Sequence, residues 1–247
     1  MTSEEPRLEE QAISQVVQAG LSSQLDDAED LSVNVRTDLG KAAQGKVDSV
    51  SVSGKGISLQ NIRIQALDVQ TDQVALNPLS ALLGNLKLNH SVDATARVLL
   101  TEADVNQAIN APAIVTKIPP LALNVEDEIV TVKLQHPLAI KLPDVDKVLL
   151  DGKASLETTT STRTIEFSVV IVPRTDEHPV LMEAFQCQPG EGLSIEFLIA
   201  LMKRFKELLD QPYYDVEGTA FRVETLAVQA GQLVAEVATH ITEIPSL

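Results

Sequence analysis

Tryptophan is absent from the 247-residue chain, and aromatic residues make up only 3% of it. An interior built without large rings must come from Val, Leu, Ile and Ala. Such a core suits either plain aliphatic packing or a cavity that holds aliphatic chains. Cysteine is nearly absent too. Cys187 stands alone, which excludes an intrachain disulfide and a multi-cysteine metal site. With Gln186 and Gln188 on either side it reads as an inert thiol. No apolar run reaches ~18 residues, the length a membrane-spanning helix needs. The N-terminal stretch MTSEEPRLEEQ is acidic and polar, unlike a secretory leader. The expectation is a cytoplasmic protein, peripheral at a membrane face if it meets one.

Basic residues are scarce as well. Lys and Arg number 19 against 35 Asp and Glu, a net charge of −16. That excludes a phosphate-backbone partner, so no nucleic acid is expected. It also weighs against broad adsorption to anionic lipid. The plainer meaning of the acidity is solubility for an aliphatic protein.

Signals for covalent chemistry are missing. His90, His136, His178 and His240 are scattered, and none has the i, i+4 spacing of metal ligands. No G-x-S-x-G elbow occurs. Gly54-Lys55-Gly56 is too short for a phosphate-binding loop and precedes a strand. The acidic runs 26–30 and 126–128 lack the spacing and central glycine of a calcium loop. The chain is therefore expected to be no enzyme and to need neither cofactor nor metal.

What is present is organised around VDATARVLLTEADVNQAINA, residues 92–111. Val92, Ala94, Ala96, Val98 and Leu100 alternate with Asp93, Thr95 and Arg97, the period of a half-buried strand. At Thr101 the period changes, and Thr101 with Asp104 forms a capping-box variant that opens a helix. The small inward residues Ala94 and Ala96 fit either close helix–sheet packing or the wall of an apolar pocket.

Upstream, Ala12, Ile13, Val16, Val17, Leu21 and Leu25 make one broad helical stripe expected to face a core. A long β region follows in which the apolar phase flips repeatedly, across Gly54-Gly56 and again near Ala66-Leu67. Such slips suggest a strongly bent, bulged antiparallel sheet, with ordinary turns accounting for some of them. A short helix is expected after Asn77-Pro78. Strands are expected at Leu121–Val125, Val130–Leu134, Leu138–Leu142 (as an edge), Val148–Glu157 and Thr164–Val172. A loop with a turn of helix at Met182–Phe185 should come next.

Ser194 then caps a second long helix, whose stripe is Leu198, Leu201, Met202, Phe205, Leu208 and Leu209. Its broad apolar face suits burial against the sheet. Part of it alternatively lines a cavity or a membrane-facing lip, where Lys203, Arg204 and Lys206 would meet lipid headgroups. A hairpin around Gly231 ends the chain. Gly54-Lys55 and Gly152-Lys153 echo each other and hint at two related halves.

The stretch LLTEADVNQAIN, taken with VDSVSVSGKGISLQNIRIQALDVQTDQVALNPLSALLG upstream, resembles the LmeA-like phospholipid-binding family. The resemblance follows an amphipathic N-terminal helix (Ile13–Leu25), a Val/Ser-rich strand to glycine (Val47–Gly56), a strand closing on Asn-Pro-Leu (Ile62–Pro78), and Leu-Thr-Glu-x-Asp-x-Asn at 100–106. It implies an α+β, TULIP-like fold: a strongly curved antiparallel sheet wrapped around two long helices, enclosing a tubular apolar channel. It implies binding or transport of phospholipid or another amphiphile, with transient membrane contact. On this reading the channel lining is Ile13, Val16, Val17, Val92, Ala94, Ala96, Val98, Leu198, Leu201, Met202 and Phe205. Residues 1–5 would be a flexible tail and 6–247 a single domain. The rival expectation is a structural or protein-interaction module with a filled aliphatic core.

Overall fold

Two helices in this protein lie along sheet edges and take the place of a neighbouring strand. In the computed structural model, which describes residues 8–42, 44–59, 62–75, 88–143, 146–175, 178–187, 192–209, 214–216, 219–229 and 231–242, helix α1 spans Leu8–Ser22 and strand β1 spans Asp30–Arg36. Three α1 side chains one turn apart reach the β1 segment. Glu10 Oε1 accepts from Thr37 N (3.1 Å), Ser14 Oγ accepts from Val35 N (2.9 Å), and Gln18 Nε2 donates to Leu31 O (2.7 Å).

The second helix does the same more completely. α3, Glu102–Ile109, runs beside β6, Glu128–Lys141. Glu102 Oε2 accepts from Leu142 N at 2.8 Å. Asn106 accepts from Ile140 N and donates to Ile140 O, both at 2.7 Å. Asn110, at the end of the helix, brackets Leu138 in the same way, both at 2.8 Å. The spacing works because four helical residues rise about 6 Å and two strand residues about 6.6 Å. A carboxamide carries the donor and acceptor of a peptide group, so each Asn mimics one rung of a ladder. In both places a Glu leads, and a polar residue follows at i+4 and at i+8.

The remaining strands are β2 Lys46–Leu59, β3 Ile62–Ala75, β4 Val92–Thr101, β5 Leu121–Val125, β7 Val148–Glu157, β8 Thr162–Val172, β9 Leu181–Cys187, β10 Tyr214–Val216, β11 Thr219–Gln229 and β12 Gln232–Ile241. Short helices α2 (Leu39–Ala42) and α4 (Pro112–Val115) and the longer α5 (Ile195–Leu209) complete the described elements. The architecture is α+β. One seven-stranded sheet has the order β1-β2-β3-β4-β12-β11-β10 and one five-stranded sheet the order β5-β6-β7-β8-β9. Every pair with a defined register is antiparallel. The chain forms two compact units: the described residues up to Leu99 with those in 213–224 and 235–247, and those in 100–212 with 225–234. The expected tail at 1–5 and the expected helix after Pro78 lie outside the described residues.

The phase flips have a local cause. β2 and β3 hold one register from Lys46↔Ala75 to Leu59↔Ile62 with no inserted residue. Gly56 of β2, at φ +56°, resets the pleat, and Ile57 then folds over the bare Cα of Gly54; Gln73 of β3 is also left-handed, at φ +51°. Val50, Val52 and Ile57 thus serve one face despite their odd spacing. Gly56→Ala should cost about 1–2 kcal/mol from the left-handed backbone alone. The new Cβ also meets the Glu29 side chain, whose Oε1 holds Arg63 Nη2 at 2.7 Å. A urea titration that left the midpoint unchanged would refute this account of the strand.

True bulges occur in the second unit. Between Gln135↔Lys153 and Ala139↔Asp151 the register of β6 slips, and Leu138 settles over Gly152. Leu138–Leu142 is thus no separate edge strand. It continues β6, and its side away from β7 is covered by α3. The turn of helix expected at Met182–Phe185 is instead β9, paired with β8 from Val172↔Leu181 to Phe167↔Cys187. One extra residue at Glu183 breaks the alternation that would have marked a strand. Phe185 stacks on Phe167 with ring centroids 6.1 Å apart. The core of this unit gathers Leu123, Val130, Val132, Leu138, Leu156, Ile165, Phe167, Val169 and Phe197.

Candidate functional site

The strand β4 carries the expected alternation: Val92 and Ala94 are buried, while Asp93, Thr95 and Arg97 are exposed. Beside it, in the first unit, lies a hollow of about 950 Å³. Its wall comes from Gln70–Gln73 of β3, Ser91–Thr95 at β4, Ala220 of β11 and Ala238–His240 of β12. A second hollow of about 460 Å³ shares Gln70, Thr95 and Ala238 and adds Asp68, Ala96, Arg97, Glu224, Glu236 and Val237. Ala94, Ala96, Ala220 and Ala238 are among the residues that border this space.

The wall is not purely apolar. Thr71 Oγ1 donates to Asp93 O (2.9 Å) and Thr239 Oγ1 to Ala94 O (3.2 Å), which ties β3, β4 and β12 together across the hollow. His240 Nδ1 meets Asp93 Oδ1 at 2.6 Å. In the sequence His240 is one of four scattered histidines. Its partner stands 147 positions away, so only the fold pairs them.

The expected lining residues fall on three elements. Val92 and Ala94 border the larger hollow, Ala96 the smaller, and Val98 is half-buried on the same strand. Ile13 and Val17 are half-buried on α1, which packs on β1, separated from β4 by β2 and β3 in the sheet order. Val16 is 73% exposed and Ala12 is exposed, so the broad α1 stripe does not face a core as a whole. The cause is the edge contact: Glu10, Ser14 and Gln18 occupy the face that an apolar stripe would need.

Leu198 and Leu201 pack on the core of the second unit, Phe205 is half-buried, and Met202 is 50% exposed. Lys203, Arg204 and Lys206 are all exposed on α5. Ser194 caps that helix as expected, its Oγ accepting from Phe197 N at 3.1 Å.

Elsewhere, Ser168 Oγ donates to Asp151 Oδ1 at 2.6 Å, and Lys141 lies 3.3 Å from the same carboxylate. The Ser168 hydroxyl first, with help from Lys141, holds Asp151 below the usual carboxylate range against the opposing effect of burial. Here the serine proton is committed to a carboxylate. Cys187 sits half-buried on β9 against the core.

Both hollows lie on an antiparallel sheet of an α+β fold and are walled by small and polar residues. The chain belongs to the LmeA-like phospholipid-binding family, whose family model matches residues 6–238. No curated protein and no solved structure matches it. The stretch at 100–106 that carried the resemblance is architectural. Thr101 and Asp104 form the capping box, and Glu102 and Asn106 bind the β6 edge.

Proposed function

We propose that the protein binds phospholipid or a similar amphiphile without covalent chemistry and carries it between membrane contacts. Membership of a phospholipid-binding family over residues 6–238 is the observation that carries this reading. The hollow beside β4 supports it. Acyl chains would lie along a curled, channel-like surface against Val92, Ala94, Ala96 and Ala238. Threonine and carboxamide groups from Thr71, Thr95 and Gln70 would meet the polar end. Burial of acyl surface supplies about 25 cal/mol per Å², of which only part survives the ordering of a flexible chain.

Ala238 borders both hollows, so Ala238→Phe should fill them from one position. The expected result is at least a roughly tenfold weaker uptake of a fluorescent acyl probe, since a ring displaces on the order of 150 Å² of ligand contact. The melting curve should change little. Native mass spectrometry of gently purified protein provides the direct check. Protein that never carries lipid and ignores the probe would leave the filled-core interaction module as the better reading.

A further inference from the structure

Helix α5 has two apolar faces, and the core uses one of them. Phe197 is 4% exposed, and Leu198, Ala200 and Leu201 pack with it on the core of the second unit. Ile195, Ile199 and Met202 are 71%, 63% and 50% exposed. Their i, i+4, i+7 spacing puts all three on one line along the helix. Lys206 continues that line at the next turn, and Lys203 flanks it one turn from Ile199. At about 100° per residue, Arg204 falls on the opposite side from Ile195. It pairs there with Glu207 at 3.1 Å. Neither Lys203 nor Lys206 has a carboxylate partner among the described residues. Glu196 and Glu207 sit off the line, on the same flank as Lys203, and leave Lys206 as the cation within the line.

We infer that this outer face of α5 is the element that docks the protein on a bilayer containing anionic lipid, a step that rests on the lipid-binding reading above. Two observations choose a bilayer over a protein. Three aliphatic side chains present far less surface than the ~1,200–2,000 Å² a stable protein interface buries. A bilayer needs no such area, because apolar tips enter the acyl boundary singly while lysine stems snorkel to the headgroups. Charge gives the second. In a chain of net charge −16, the lysines beside this stripe have no carboxylate partner among the described residues and suit lipid phosphate, whereas a two-fold pairing of this face with itself would set lysine against lysine.

The test uses the full chain and vesicles of phosphatidylcholine and phosphatidylglycerol at roughly 7:3. Ile199→Asp should lower co-sedimentation with the vesicles about tenfold, and Lys203→Glu with Lys206→Glu should do the same at low salt. All these side chains are exposed, so thermal melts should match wild type. Because the sequence has no tryptophan, Met202→Trp is a unique reporter, and its emission should move to the blue when vesicles are added. Uptake of a monomeric short-chain fluorescent phospholipid, measured in parallel, reads the hollow without a bilayer.

Wild-type docking that Ile199→Asp abolishes while monomeric uptake persists supports the assignment. Docking that survives Ile199→Asp, or a Met202→Trp emission that stays put, overturns it whatever uptake does. Intact docking with no uptake sinks the carrier reading and leaves the docking face standing. A dimer that Ile199→Asp splits, in protein that ignores vesicles, gives the face to a second copy and overturns the assignment.

Discussion

Asn106→Leu should lower the free energy of unfolding by about 2–4 kcal/mol, because it orphans both the N–H and the C=O of Ile140. The replacement has similar bulk, so cavity formation contributes little and the loss reports the two strand contacts. Asn106→Asp separates the roles further. The carboxylate still accepts from Ile140 N, but its second oxygen now faces the carbonyls of Glu102 and Ile140. Protonation restores a donor, so the folded state raises the pKa of the introduced Asp above its unfolded value of about 3.9. A raised acid contributes its stability below the unfolded pKa and loses it as pH climbs through the folded one. The variant should therefore be closest to wild type in mild acid and fall behind towards neutrality. Urea unfolding at several pH values checks the sign, and a flat difference would show that Asn106 does not form a rung of the ladder.

Phe197→Ala should cost about 3–5 kcal/mol, the range for emptying a buried aromatic site. Phe197 is the one described α5 side chain that is fully buried, and its loss should free the helix from the core. Neighbouring Ile195→Ser, on a position 71% exposed, should change stability by less than about 0.5 kcal/mol. The contrast between two apolar residues two positions apart is the measurement. Equal losses would mean that both faces of α5 are packed.

Local signals made much of the fold legible. The capping box at Thr101 and Asp104 and the Ser194 cap stand where side-chain chemistry places them, while the acidic run 126–128 gives a turn of Glu126 and Asp127 only, with Glu128 opening β6. The strands expected at 121–125, 130–134, 148–157 and 164–172 lie in β5 to β8, and β5 pairs with β6 and β7 with β8 across short polar turns. Legibility failed where the alternation was broken by geometry. Glu183 hid β9 behind one extra residue, and Gly56 made a strand of unbroken register look slipped.

On α1, the apolar pattern suggested a face that polar edge contacts in fact occupy. Glu10, Ser14 and Gln18 carry no mark that separates a strand-binding side chain from a solvated one. The same limit applied at the hollow. Ala94 and Ala96 were readable as small residues on a strand. The pairing of Asp93 with His240 and the tie from Thr239 to Ala94 join residues that only the sheet order brings together. The echo of Gly54-Lys55 in Gly152-Lys153 acquires a physical content as well. Each glycine lies under an aliphatic side chain, Ile57 over one and Leu138 over the other.

The helix-sealed edges also determine how this protein would fail. A strand edge closed by another strand opens only when the sheet comes apart, but the Leu138–Leu142 edge is closed by three side chains from one short helix. If α3 frays, that edge becomes an open template of unpaired amides and carbonyls beside aliphatic side chains. The route to self-association would then begin with a two-turn helix letting go while the sheets are still intact.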